Sequence, residues 1–267
     1  PGYIEYGDRR FHCWKRGGHG TVSLQRSLSE SCDVFYYDIA QKVGIDKIAE
    51  MGRKLGLGQR FDIPMSAVTD GIMPNKQWKL ERHKEDWRIG DTINASIGQG
   101  YVLTSPLQLA VMTARIASGR AIAPRLVRMI NDKDLPVPDA AALDIPAEYL
   151  AGVRQGMHEV INGEQGTAKS SRIVDPTMVM AGKTGTSQVR NISASERESG
   201  VIGNDQLPWN RRDHALFVGY APYDNPRYAV AVVVEHGGGG STAAAPIARD
   251  VILRAMSDGL PSLEAYP

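Results

Sequence analysis

Two short clusters of reactive side chains stand out in the chain, Ser31-Cys32-Asp33 and, far downstream, Lys183-Thr184-Gly185-Thr186. The second follows the apolar run Met178-Val179-Met180-Ala181, the pattern of a buried strand leading to a site. A strand that ends in Lys, a bare Gly and two hydroxyls presents a cation, an open backbone edge and hydrogen-bond donors, which together suit a carboxylate. The first cluster sets a hydroxyl two residues before a carboxylate, just ahead of the aromatic run Val34-Phe35-Tyr36-Tyr37. A third set, Cys13, His19 and Cys32, has the residue types for three ligands of a tetrahedral zinc. Its fourth ligand would come from elsewhere, residues before Pro1 being one source. His12 is near in sequence, but adjacent residues on one strand point apart. A disulfide in an oxidising compartment and a pair of buried thiols are the alternatives for the cysteines.

These groups need elements to hold them. Thr21 to Arg26 opens a helical pattern whose apolar positions continue through Phe35 and Ile39 to Val43, with Gly44 as C-cap. A second helix is expected from Asp46 to Leu55, closed by Gly56. Residues 62–90 are rich in Pro, Gly, Lys and Trp without a sustained period and read as a long surface excursion. Ser105, Pro106 and Gln108 form a strong helix start, with a capping residue, a first-turn proline and a capping-box partner. Asp132 to Pro146 reads as loop, and Ala147 to Ile161 as an amphipathic helix.

The C-terminal third changes character. Met178 to Val189, His214 to Ala221 and Tyr228 to His236 read as strands, the last two forming an antiparallel hairpin across Pro222-Tyr-Asp-Asn-Pro226. A helix from Ser241 to Ser257 follows, ended by Gly259. Arg190 to Arg212 is a polar, mobile connection, and Trp78, Trp87 and Trp209 fall in loops. The Gly237–Gly240 run lacks the Lys-Ser/Thr of a phosphate loop and reads as a flexible strand-to-helix connection near the site mouth.

Composition narrows the function. The 267 residues are 42% hydrophobic, enough for a real core, and a formal net charge of +1 suggests no nucleic-acid or membrane-surface partner. The longest apolar run, near Tyr228 to Val234, falls far short of the ~20 residues that span a bilayer. Two cysteines are too few for a disulfide scaffold.

Several segments resemble the class B penicillin-binding proteins of the elongation type. They are Trp14-Lys15 with Gly18-His19-Gly20, Ser29 to Tyr37, Gly90-Asp91-Thr92 with Ile97 to Gly100, Ser105 to Leu109, Lys183 to Thr186 and Ala221-Pro222, in the family's order. The resemblance implies an α/β (α+β) transpeptidase fold, an antiparallel sheet flanked by helices. It implies a serine-type D,D-transpeptidase that cross-links peptidoglycan stem peptides, is acylated by β-lactams and needs no cofactor for catalysis. It also implies a place at the periplasmic face of the inner membrane, an upstream transmembrane anchor, and glycosyltransferase and elongation-complex partners.

The chemistry requires a serine activated by a lysine in a Ser-x-x-Lys pattern. No lysine of the chain has a serine three residues before it. The expectation is a transpeptidase domain over 1–267 that begins after that motif, a fragment inactive by itself, with apolar surface exposed where the nucleophile helix would pack. In the family's pattern Lys183 supplies positive potential for the substrate carboxylate, and Thr184 and Thr186 offer hydroxyls, Thr186 the better placed. Gly185 leaves room for the acyl group, and the Thr186 N–H is half of an oxyanion hole. Ser31 relays a proton to the leaving amine. Asp33, the third catalytic candidate beside Ser31 and Lys183, stands where Asn is more usual, exchanging an amide donor for a charge that can pair with the catalytic lysine outside the chain. A β-lactamase or penicillin sensor shares these motifs but needs an efficient deacylating base, and a non-catalytic morphogenesis scaffold is the reading from another class. The bland readings are a strand end with a surface lysine and a helix-capping Ser/Asp pair.

Overall fold

A computed structural model describes residues 1–257, 259 and 261–267. Two strands open the chain, β1 (Tyr3–Tyr6) and β2 (Arg9–His12). Helices α1 (Leu24–Ser29), α2 (Asp33–Val43), α3 (Ile45–Lys54), α4 (Lys76–His83), α5 (Ile89–Ala95) and α6 (Pro106–Ser118) follow. A small hairpin, β3 (Met129–Ile130) and β4 (Lys133–Asp134), precedes α7 (Ala147–Asn162). The remainder runs β5 (Ala181–Ser187), α8 (Ala194–Ser199), β6 (His214–Ala221), β7 (Tyr228–Val234) and α9 (Ala245–Met256). The chain divides into two compact units, residues 1–20 with 32–151 and residues 21–31 with 152–267.

The first unit is helical apart from its hairpins. β1 and β2 pair antiparallel with Tyr6 opposite Arg9, so Gly7-Asp8 is a two-residue turn, and Gly7 takes the positive φ (57°) such turns demand. This hairpin was not anticipated; its signal is a Gly-Asp pair between two short runs. The Tyr37 hydroxyl of α2 donates to the His12 carbonyl at 3.1 Å and fixes the hairpin to the helix. α3 closes in a Schellman arrangement, Gly56 N–H donating to Arg53 O and Leu57 N–H to Gly52 O, both at 2.9 Å. Gly56 has φ 104°, which explains the glycine. Ser105 and Gln108 cap α6 reciprocally with Pro106 in the first turn, as expected.

The surface excursion expected over 62–90 is corrected: it carries α4 and the start of α5, and Trp78 lies in α4 rather than in a loop. α4 lacks an apolar stripe. It is anchored instead by the Asn75 side chain, which accepts from Trp78 N–H, and by Lys79. Lys79 is 2% exposed, and its ammonium sits 2.6 Å from an Asp91 carboxylate oxygen of α5.

The second unit is built on an antiparallel sheet of order β5-β6-β7, with Thr186 opposite Ala215 and Ala221 opposite Tyr228. Alternate residues of β6 (Ala215, Phe217, Ala221) share a core with Val160 and Ile161 of α7 and with Ala248, Ile252 and Leu253 of α9. α9 is entered through a π-helical turn over Gly240–Ala244. A side chain at Gly240 would strike the Leu216 carbonyl and the Gly185 backbone. The glycine run is thus a close-packing device at its last member. Residues 190–212 carry α8 and are tied by an Arg190–Glu196 ion pair at 2.6 Å.

The single helical pattern expected over 21–43 is two helices. α1 ends at Ser29, α2 begins at Asp33, and Ser31 between them has φ 54°. A non-glycine residue in the left-handed region costs roughly 1–2 kcal/mol and cannot continue a right-handed helix. The apolar periodicity runs through the break, which is why the sequence pattern did not register it.

Candidate active site

In the second unit Ser31 and Lys183, separated by 152 positions in the chain, come together. The Lys183 ammonium donates to Ser31 Oγ at 2.8 Å and to the Thr184 carbonyl at 2.9 Å. β5 emerges from the core at Met180 and Ala181, both fully buried, and is half-buried at Lys183. An ammonium has donors only, so Ser31 must accept from it and keeps its own proton to give elsewhere. A hydroxyl polarised by a fixed cation can pass a proton to a departing amine.

The rest of the cluster divides by role. Thr184 is half-buried and its Oγ1 is engaged 2.9 Å from Thr167 Oγ1, whereas Thr186 is exposed two residues on. Of the two hydroxyls, that of Thr186 is the more open to an anion drawn by Lys183. A Cβ built at Gly185 would sit 3.3 Å from the Leu216 Cβ, so the bare glycine also relieves crowding against the neighbouring strand. β5 lies at the edge of its sheet among the described residues. Its outer backbone therefore has the hydrogen-bonding groups to receive an extended peptide.

Asp33 belongs to the first unit. It opens α2, where a carboxylate complements the helix N-terminus, and its Oδ2 accepts from the Trp14 N–H at 2.9 Å. In the same unit the predicted Cys/His set assembles. Cys13, His19 and Cys32 are all buried, and their ligand atoms lie within 4.8 Å of one another. Cys13 Sγ is 3.5 Å from His19 Nδ1. The cysteines are not joined by a disulfide. Cys32 is the N-cap residue of α2 but makes no side-chain capping bond. Burial pushes the Cys13 thiol above its usual range. Two thiols and an imidazole form a donor set that suits zinc and contains no hard oxygen ligand.

Sequence reasoning missed Thr167, which touches the site through Thr184 and has no motif of its own. It also missed the break at Ser31. His214 sits in β6 as expected, its Nδ1 accepting from the His236 backbone N–H at 2.9 Å.

Comparison with known proteins gives concordant results. Peptidoglycan D,D-transpeptidase MrdA of Haemophilus influenzae is 35% identical over 276 aligned positions, covering 100% of this chain and 41% of the relative. The crystal structure of Pseudomonas aeruginosa PBP2 in complex with WCK 5153 is 36% identical with a TM-score of 0.80, covering 99% of this chain and 55% of that one. The complex between PBP2 and MreC from Helicobacter pylori aligns at 33% identity and a TM-score of 0.79, covering 93% of this chain and 42% of that one. The chain thus spans well under two thirds of each. The penicillin binding protein transpeptidase domain matches residues 1–253, and by that match the chain belongs to the penicillin-binding-protein transpeptidase family.

Proposed function

We propose that this chain is the C-terminal part of the transpeptidase domain of a peptidoglycan D,D-transpeptidase. The observation that carries the reading is the 2.8 Å contact between Lys183 and Ser31, which joins the family's two motifs in one unit. A serine outside residues 1–267 attacks the penultimate D-Ala carbonyl of a stem peptide and expels D-Ala. The acyl group then passes to an amine of a neighbouring stem peptide. That no lysine here carries a serine three residues before it supports an external nucleophile.

Lys183 draws the substrate carboxylate, Thr186 hydrogen-bonds it, and the peptide lies along the edge of β5. Gly185 keeps that edge open, and the Thr186 N–H faces the developing oxyanion. Thr184 holds the strand from within. Ser31 relays the proton to the leaving amine, a function worth ~10²–10⁴ in rate. Asp33 holds the chain next to it through Trp14. β-Lactams acylate the same serine because their ring amide and carboxylate mimic the peptide terminus. Catalysis uses no cofactor.

A structural zinc held by Cys13, His19 and Cys32, with a fourth ligand from outside this set, fits the buried donors of the first unit. It would fasten the end of β2 to the start of α2. The reaction and the partners of the similar proteins support a parent that works at the periplasmic face of the inner membrane, secured by a segment outside these residues. There it works beside a glycosyltransferase and an elongation-complex partner of the MreC kind. Among the described residues no helix is long and apolar enough to cross a membrane.

Fluorescent penicillin labelling tests the reading. The full-length protein should label stably and the 267-residue chain alone should not. Rapid loss of label from the full-length protein would identify a β-lactamase, and absence of label a scaffold. Zinc at one equivalent by metal analysis of the full-length protein, lost on His19→Ala, tests the metal; free thiols without zinc would refute it.

A further inference from the structure

We propose that Thr167 is a positioning residue for the reaction, the clamp that sets the spacing of Ser31 and Lys183. The inference rests on the reading of those two groups as the proton-transfer pair. Thr167 holds both halves of the pair. Its backbone N–H donates to the Ser29 carbonyl at 3.1 Å, two residues before Ser31. Its hydroxyl lies 2.9 Å from Thr184 Oγ1, one residue after Lys183.

The clamp is itself immobilised by backbone packing. A side chain at Gly166 would strike the Glu159 and Val160 carbonyls at the end of α7. On the other flank, Ala168 is fully buried and its N–H donates to the Val160 carbonyl at 2.9 Å. Thr167 is therefore fixed to α7 from both sides, and what it touches is fixed with it.

Ser31 has need of such a tie. Its backbone is in the left-handed region at φ 54°, and the intrahelical-type bond from its own N–H to Leu28 O is long at 3.3 Å. A strained residue persists only where its surroundings over-determine it. The last carbonyl of α1, at Ser29, would otherwise be an unsatisfied helix end; Thr167 satisfies it and in the same stroke registers the turn against β5. Proton transfer falls off steeply with donor–acceptor geometry, so loosening this register should slow the chemical step rather than binding.

The test uses the full-length enzyme and its acylation by a fluorescent penicillin. Thr167→Val keeps the backbone N–H and the side-chain shape but removes the hydroxyl. It should slow the acylation rate constant about 10-fold, the worth of one good hydrogen bond, while the apparent affinity for the penicillin changes less than about 2-fold. Thr167→Ser should restore the rate to within about 2-fold of wild type. Thr184→Val removes the contact from the other side, and the double variant should be no slower than the slower single one. A Thr167→Val enzyme acylating at the wild-type rate, a Thr167→Ser enzyme as slow as Thr167→Val, or losses that multiply in the double variant would each overturn the clamp. If Thr167→Val also lowers the thermal midpoint, the Ser rescue and Thr184→Val decide. An unlabelled wild type would sink the transpeptidase reading and the clamp together; a labelled wild type with an indifferent Thr167→Val sinks the clamp alone.

Discussion

Around Ser31 the side chains are oxygen and nitrogen groups, half-buried and joined by direct hydrogen bonds to Lys183 and, through Thr184, to Thr167. Around Cys32 they are two thiols and an imidazole, all buried. The two sets share consecutive residues of one segment yet follow opposite rules. A group that trades protons with a substrate must stay within reach of it, so part of its surroundings is left open and a fixed cation does the orienting. A group that only fastens two elements gains from complete enclosure, because water competes for every ligand bond. On the proposed reading, exposure more than residue type separates the reacting set from the fastening set.

The comparison breaks first at Ser31. Ser31→Ala in the full-length enzyme should slow acylation by ~100-fold or more, with zinc content and thermal midpoint unchanged; a loss under about 3-fold in the labelling rate would remove Ser31 from the chemistry. The fastening set should answer in the opposite way. Stripping the metal with a chelator, or Cys13→Ser, should lower the thermal midpoint by roughly 6–12 °C, taking a metal loss of roughly 3 kcal/mol. Any activity lost should track the folded fraction. Unfolding curves that coincide with and without chelator would refute it.

Both regions depend on turns that the chain's pattern reveals unequally. The caps of α6 and the glycine after α3 were legible because their chemistry is local: Ser105, Pro106, Gln108 and Gly56 act on neighbours within a few residues. The bounds of β6 were legible because a polar connection ends at Arg212 before it and the Pro222–Pro226 turn follows it. The meeting of Ser31 with Lys183 was expected only from the family's motif order. α4 was hidden because its eight residues are almost all polar or charged and it is held by one buried ion pair rather than by a stripe. The clamp at Thr167 was hidden because nothing in Gly-Thr-Ala distinguishes a loop that touches a distant strand from one that does not.

Smaller effects sharpen the picture. Gly240→Ala pushes a methyl into the Leu216 carbonyl and the Gly185 backbone and should destabilise the second unit by about 1–3 kcal/mol in denaturant unfolding. Acylation should fall along with it, since the displaced strand carries Lys183. Ser31→Gly and Ser31→Ala should be equally inactive but differ by about 1 kcal/mol in stability, glycine the better, because only alanine retains the left-handed penalty. The smallest effect concerns Glu196. Its hydrogen bond to Arg190 holds the carboxyl down at about 2. A depressed carboxylate stabilises above its unfolded value and stops doing so as pH falls through the folded one. The protection of backbone amides in residues 190–202, taken relative to their intrinsic exchange rate at each pH, should therefore hold from neutrality down to the usual glutamate range and be lost only below it. Loss of that protection already near pH 6 would disprove the tie.

The contact between Gly240 and the strand beneath it carries a lesson for drug resistance. Where main chain lies on main chain, no side chain of any kind can be inserted without moving the strand that carries Lys183. On the proposed reading a change at Gly240 would harm the natural reaction and the β-lactam-inhibited one alike, so heritable escape gains nothing there.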